Sequence, residues 1–358
     1  MQQRNIAYMK ILKHLLIYSL LLFTTSVLYA QDIHWTQFTM SPLTLNPAFT
    51  GDFEGTFRIG GIYRDQYNFV RGKNPGGKGF RTPSFFVDVP IIMLRKRDWV
   101  SAGIVAYADK AGTGGLTNSG FLASGSYHLS LDKKLTRYLV AGVQFGSVGR
   151  EIKDSQDLTF ADNIINGAPG ATSIDFNKIP EDGQSYSVVN AGLMYRAAMN
   201  KKTNLNVGLA VSYITRPDGG ITTAGGAGTS FKRPLRTTIH GQMERQVNDN
   251  LTIYPAFIFQ NSAGINEIAI QAMGGYGLKF KDLDLQAKAG LGYRVGDAVQ
   301  ILLGANYDDW QVGLAYDLTA SGLTSSNSAR GGFELAINKI IKVYKQPTVP
   351  PVIFCPDL

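Results

Sequence analysis

From residue 53 onward the chain reads as a train of segments in which apolar side chains alternate with small or polar ones. Leu205, Val207, Leu209, Val211 and Tyr213 make one face of such a segment; Asn206, Gly208, Ala210 and Ser212 make the other. Leu285, Ala287, Ala289, Leu291 and Tyr293 likewise oppose Gln286, Lys288, Gly290, Gly292 and Arg294. A period of two places successive side chains on opposite faces of an extended chain, so each segment predicts a strand with one apolar face. About fourteen strands follow from this pattern. They lie at 53–68, 81–89, 99–107, 116–129, 136–150, 184–198, 203–214, 234–247, 250–260, 266–280, 284–294, 297–307, 310–319 and 332–343.

The connections carry a second pattern. Those after even strands are tight: 132–135, 199–202, 248–249, 281–282 and 308–309. Those after odd strands are longer, at 70–80, 108–115, 151–183, 215–233 and 320–331, with a short exception at 295–296. An even strand count with turns of one length class at each end predicts a transmembrane antiparallel β-barrel, its termini and short turns in the periplasm and its longer loops outside. The 151–183 connection is long enough to plug the lumen or cover it from outside.

Alternation alone serves a soluble sandwich equally well. The N-terminus favours the barrel, because Arg4, Lys10 and Lys13 precede an apolar run from Leu15 to Phe23 and a small-residue end at Ala30, the pattern of an export signal over 1–30. That run is shorter than the roughly 20 apolar residues of a spanning helix. No linker or shift of composition divides the remainder, and aromatic residues at strand ends (Trp99, Tyr107, Tyr127, Tyr138, Tyr213, Tyr293, Tyr307, Trp310 and Tyr316) predict an interfacial girdle. Domain boundaries follow: a lead-in at 31–52, the barrel at 53–344 and a tail at 345–358.

The lead-in is Gln37-Phe38-Thr39-Met40-Ser41-Pro42-Leu43-Thr44-Leu45-Asn46-Pro47-Ala48-Phe49-Thr50-Gly51. Pro42 and Pro47 remove backbone donors and push Ser41 and Asn46 away from the α region, so it reads as neither helix nor strand. Phe38, Leu43 and Leu45 would be costly in water and predict packing against the inside wall or rim of the barrel.

The wording of this segment resembles the opening of the PorP/SprF family of type IX secretion membrane proteins: Gln37-Phe38, Pro42-Leu43, Leu45-Asn46-Pro47-Ala48 and Gly51, just after a signal peptide. Tyr63-Arg64-Asp65-Gln66-Tyr67, Thr82-Pro83-Ser84-Phe85, Ala315-Tyr316-Asp317, Gly332-Phe333-Glu334 and the ending Cys355-Pro356 are similar to later phrases of that family, in order, across the mature chain. The resemblance implies a non-enzymatic outer-membrane component of type IX secretion or of the gliding and adhesin apparatus tied to it. It implies as partners periplasmic ring or peptidoglycan-binding components, or a large secreted surface protein that is retained and displayed. A passive channel or transporter of small apolar solutes is the alternative, and an outer-membrane hydrolase a third.

Charge and chemistry change this picture little. Without the signal the chain carries 32 Lys and Arg against 27 Asp and Glu, scattered through turns and not gathered with aromatics, which gives nucleic-acid binding no support. His34, His128 and His240 lack the spacing of a metal site, and His14 belongs to the signal. Arg236, Thr238, His240, Gln242 and Glu244 share one strand face, which reads as a hydrogen-bonded lumenal ladder since no nucleophile pairs with the histidine. Gly225 to Ser230 is glycine-rich but has no lysine or following helix to make a phosphate cradle. No cofactor is expected.

Cys355 is the only thiol, so no internal disulfide can form. Its tail is held extended by Pro347, Pro350 and Pro351 and carries Val352, Ile353 and Phe354 as an apolar grip. It reads either as a plug folded back into the barrel or as a docking peptide. With the termini at one mouth, Gln37, Phe38, Pro42, Leu45, Asn46 and Pro47 of the lead-in and Ile353, Phe354, Cys355 and Pro356 of the tail are the expected contacts for a partner.

Overall fold

In the computed structural model, which describes residues 33–66, 79–95, 97–112, 115–152, 183–219, 232–280, 283–322 and 324–343, the strands close into one antiparallel barrel of fourteen. In chain order they are β1 Phe57–Gln66, β2 Phe80–Leu94, β3 Asp98–Ala111, β4 Leu116–Ser130, β5 Arg137–Ile152, β6 Gln184–Asn200 and β7 Thr203–Ser212. Then follow β8 Arg236–Gln246, β9 Leu251–Ser262, β10 Ile265–Phe280, β11 Leu283–Arg294, β12 Ala298–Tyr307, β13 Trp310–Thr319 and β14 Arg330–Ile341. Each strand pairs with its sequence neighbours, and β1 pairs with β14 from Phe57↔Ile341 to Gln66↔Gly332 to close the ring. Closure leaves no free sheet edge along the wall.

The alternation is inverted relative to a soluble sandwich. On β5 the outward Leu139, Val143 and Phe145 are exposed, whereas the inward Val140, Gln144 and Val148 are buried. An exposed apolar face around a buried mixed one is what a hydrocarbon surround requires. The buried apolar residues therefore lie in the lumen, where Trp35, Phe38, Leu45, Ala48 and Phe49 of the lead-in pack against Ile62, Tyr138, Val140, Met194, Ile258, Ala269 and Ala336 of the wall. No described helix is long and apolar enough to cross a membrane.

Near end denotes the mouth where β1 begins and β14 finishes, far end the other. At the far end the β3–β4 connection is only 112–115, because β3 runs on to Ala111 while β4 begins at Leu116 as expected. The β9–β10 connection is the pair Ala263 and Gly264. Both residues have positive φ, as a primed two-residue hairpin turn needs. The long far-end connections are therefore confined to 67–79, 153–183, 213–235 and 320–329.

The aromatic girdle is only partly where the pattern placed it. Tyr293, Tyr307, Trp310 and Tyr316 face outward and are exposed, joined by Tyr63, Tyr276 and Phe333. Tyr138 and Tyr213 are buried, and Trp99 and Tyr107 pack against the lumenal clusters. Trp99 stacks on His128 with ring centroids 4.3 Å apart. Tyr213 lies one residue beyond the end of β7 with φ +59°, so it leaves the period of two and turns inward.

The lead-in forms three short helical turns: Phe38–Met40, α1 Pro42–Leu45 and Pro47–Phe49. The prolines read as obstacles to helix sit at the first helical position, where the missing N–H is not needed. Asn46 between the turns is extended, at φ −157° and ψ 125°. The signal at 1–30, the 345–358 tail, nearly all of the 151–183 connection and Gly225 to Ser230 lie outside the described residues.

Candidate functional site

The lead-in runs the length of the lumen, and its contacts with the wall form the candidate site. It begins at the far end, where the Ile33 carbonyl accepts from Arg236 Nη1 at 3.2 Å, and it leaves at the near end beside β1. Val343, the last described residue, donates its N–H to Thr56 Oγ1 at the near end. The two ends of the described chain are thus at opposite mouths, not at one.

Four strands send charged side chains inward near the far end: Arg64 from β1, Arg294 from β11, Asp317 from β13 and Glu334 from β14. The hydroxyl of Thr36 donates to the Asp317 carboxylate (2.7 Å) and accepts from Arg64 Nη1 (2.8 Å) and Arg294 Nη2 (3.1 Å). All its hydrogen-bonding capacity is used. The backbone N–H groups of Thr36 and Gln37 donate to the two oxygens of Glu334 at 2.6 and 2.8 Å. Arg64 pairs with Glu334 and, through Nη2, with Asp317 at 2.9 Å; Arg294 pairs with Asp317 at 3.1 Å and Asp297 at 2.9 Å. Gln271 closes the ring by donating to the Thr36 carbonyl at 2.6 Å. Two buried arginines thus face two buried carboxylates, with two consecutive lead-in residues filling the remaining valences.

Midway down, the lead-in lies in a cradle of glycines on β5, β6 and β7. Asn46 Nδ2 donates toward the Leu193 and Leu209 carbonyls (3.2 and 3.3 Å) and meets His240 Nε2 at 3.0 Å, while Asn46 Oδ1 accepts from the Ala48 N–H at 2.9 Å. A Cβ on Gly192 would lie 1.8 Å from Asn46 Oδ1, and one on Gly142 would lie 2.3 Å from Ala48 N. The phrase Leu45-Asn46-Pro47-Ala48 fits because those wall positions carry no side chain.

At the near end, the Thr50 carbonyl accepts from Ser126 Oγ at 2.6 Å and lies 2.9 Å from His128 Nε2. The Gly51 N–H donates to Asp88 Oδ2 at 2.7 Å, and Asp52 accepts from Arg196 Nη1 at 2.6 Å. Gly51 has φ +69°, and a Cβ there would strike Ser101, so glycine is required twice over. Beneath the lead-in, between it and β7 to β13, remains a cavity of about 300 Å³ with Lys288, Tyr254 and Glu244 on its wall.

Gln37, Phe38, Pro42, Leu45, Asn46 and Pro47 are all buried in the lumen and spend their contacts on the barrel wall. Ile353, Phe354, Cys355 and Pro356 lie outside the described residues. Thr238 and His240 are buried on the inward face of β8, as their alternation predicts, and His240 serves as a partner of Asn46. His34 sits in the lead-in, where burial pushes its pKa down, far from His128 and His240 in function. The ionic cluster was not foreseen. Its signal was present, since Arg64, Asp317 and Glu334 each stand inside a separately quoted phrase, and the fold brings those phrases to one point against Thr36 and Gln37.

Residues 27–338 match the model of a family described as type IX secretion system membrane protein PorP/SprF. No curated protein matches the chain. Among solved structures, the toluene transporter TbuX of Ralstonia pickettii aligns with TM-score 0.47 and 11% identity over 84% of this chain and 93% of its own. The toluene transporter TodX of P. putida aligns at 0.45 and 10% over 84% and 93%. A Pseudomonas aeruginosa FadL homologue aligns at 0.45 and 14% over 82% and 92%. These likenesses are to barrels at large and assign no substrate to this chain.

Proposed function

The chain belongs to the PorP/SprF family of type IX secretion system membrane proteins, and from that premise we propose that it is a non-enzymatic outer-membrane component of the secretion apparatus that docks other proteins and does not conduct solutes. The observation that carries this reading is the occupied lumen: the segment from Ile33 to Asp52 is bonded to the wall at both ends and in the middle. A passive channel for small apolar solutes finds less support, because the apolar wall residues of the lumen are already covered by Trp35, Phe38, Leu45, Ala48 and Phe49 of the lead-in. The near end, with its tight turns, faces the periplasm in this reading.

With the lead-in committed to the wall, docking falls to the 345–358 tail and to the near-end face. There β2 outruns its ladder with β1, which stops at Arg58↔Asp88, and exposes Ile91, Ile92, Met93 and Leu94 before the basic turn of Arg95 and Arg97. Such a face suits a periplasmic ring or peptidoglycan-binding component, or the anchor of a displayed surface protein. Purified protein in a planar bilayer is expected to give low conductance, and large stable currents would support the channel instead. Deleting 347–358 should leave a heat-modifiable barrel in the membrane while abolishing co-purification of secretion components and the surface display that depends on them. Persistence of all three would remove the tail from the mechanism. A protease site inserted near residue 170 should be cut on intact cells and one near Lys201 protected; the reverse would invert the orientation.

A further inference from the structure

The near-end cavity is built differently from the sealed contacts above it. Lys288 on β11 holds its ammonium 4.2 Å from the centre of the Tyr254 ring, and among the described residues it has no carboxylate within ion-pairing distance. The hydroxyl of the same tyrosine reaches toward Glu244 at 3.5 Å and donates to Gln286 at 2.8 Å. Glu244 in turn has no cation beside it among the described residues. A half-buried cation and an exposed anion therefore border the same cavity around one aromatic ring, acting on each other electrostatically without forming an ion pair. In contrast, Arg64, Arg294, Asp317 and Glu334 neutralise one another within one lumen, so leaving this pair apart is not a general habit of the barrel.

A further observation belongs to the same space. Gly275 stands between Tyr254 and Lys288 on the intervening strand, and a Cβ there would lie 3.0 Å from the tyrosine ring and 2.9 Å from the Gln286 amide carbon. The ring reaches across β10 to the ammonium because that position is glycine. Asn204, Asn206, Gln242, Asn306 and Gln311 add amides to a lining that also holds Met40, Met273 and Leu302, while Asp52 and Arg58 on the same wall are paired with Arg196 and Asp88. About 300 Å³ lies at the lower limit of small-molecule sites.

We propose that this cavity binds a small zwitterion of dipeptide length, its carboxylate at Lys288 and its ammonium at Glu244, with the peptide unit over Tyr254 and among the amides. An acidic ligand alone would meet repulsion from Glu244 and a basic one repulsion from Lys288, so the pair selects a molecule that carries both charges. The site is independent of the docking role above.

The test is calorimetric titration of the full-length protein in detergent with L-alanyl-L-alanine. Saturable binding is expected, weakened at least tenfold in Lys288→Met and in Glu244→Gln, each checked for heat-modifiable mobility. N-acetyl-alanyl-alanine amide, which has the same backbone without the charges, should not bind detectably, and this arm decides the matter should either variant fail to fold. Gly275→Val should abolish binding by driving Tyr254 off Lys288. Absence of saturable binding by the dipeptide, equal binding of the blocked peptide, or full affinity in folded Lys288→Met and Glu244→Gln would each overturn the site.

Discussion

The two main anchors of the lumenal segment solve one problem by opposite means. At Thr36 and Gln37 the wall supplies four charged side chains and the segment supplies a hydroxyl and two N–H groups. At Asn46 to Ala48 the wall supplies glycines, backbone carbonyls and the ring of His240, and the segment supplies one amide. The ionic anchor is stiff because removing any member strands a buried charge, whereas the glycine cradle is selective because anything larger than hydrogen collides. The first therefore governs stability and the second governs whether the segment enters at all.

The largest expected effect is at the ionic anchor. Arg64→Met leaves Asp317 and Glu334 short of countercharge and should lower unfolding stability by about 3–5 kcal/mol, measured by urea titration of the purified barrel. Replacing Arg64 and Asp317 together with apolar residues of similar size removes one charge of each sign and leaves Glu334 on the N–H groups of Thr36 and Gln37, so it should cost less than Arg64→Met, and a double variant worse than the single one would refute this account of the anchor. Next, Gly192→Val should leave a folded barrel whose lead-in is expelled, read as raised bilayer conductance and protease cleavage between residues 33 and 52. Unchanged conductance would mean that the cradle yields. Asn46→Ala keeps the space but strands the buried Ala48 N–H, which donates to Asn46 Oδ1, for an expected loss of about 1–3 kcal/mol without a rise in conductance.

The smallest effect lies outside both anchors, at the near-end turn between β4 and β5. The Thr136 hydroxyl, with the N–H groups of Thr136 and Arg137, holds the Asp132 carboxyl below its usual pKa. A carboxylate lowered in the folded state contributes above its unfolded pKa and loses that contribution as pH falls through the folded one. Asp132→Asn should therefore cost a slight amount of stability near neutrality, where the carboxylate contributes, and should abolish the loss that the unmodified turn shows on acidification; a neutral-pH effect comparable to that of Asn46→Ala would mean that this turn matters more than its exposure or its position suggests.

The barrel itself was legible because its rule is local. A period of two survives in any one strand, and strands β4, β6, β11, β12 and β13 begin or end within a residue or two of the expected positions. What the rule does not encode is which aromatic leaves the strand direction, so Tyr213, at positive φ, was assigned to the membrane and lies in the core. Phe38, Leu43 and Leu45 were read as packing on an inside wall or rim, which they do. Their depth was hidden because the partners that fix it stand far away in sequence: Thr36 meets Asp317 281 residues on and Glu334 298 residues on. Pro42 and Pro47 misled on secondary structure, since a proline that forbids the middle of a helix also starts one.

Arg64 and Glu334 face each other across the ladder between the first strand and the last, which gives the ionic anchor a bearing on assembly. The lead-in is synthesised before any strand, yet its two strongest acceptors are contributed by β13 and β14, the last to be made. Closing so long a loop is slow and is rewarded only when its final contacts form. Here those contacts include the lead-in itself. A barrel that zipped shut with Thr36 outside would enclose Arg64, Arg294, Asp317 and Glu334 without the hydroxyl and the two N–H groups that complete them, so the seam is most stable when the segment is already within, and the order of closure is written into the same four side chains that hold the finished molecule.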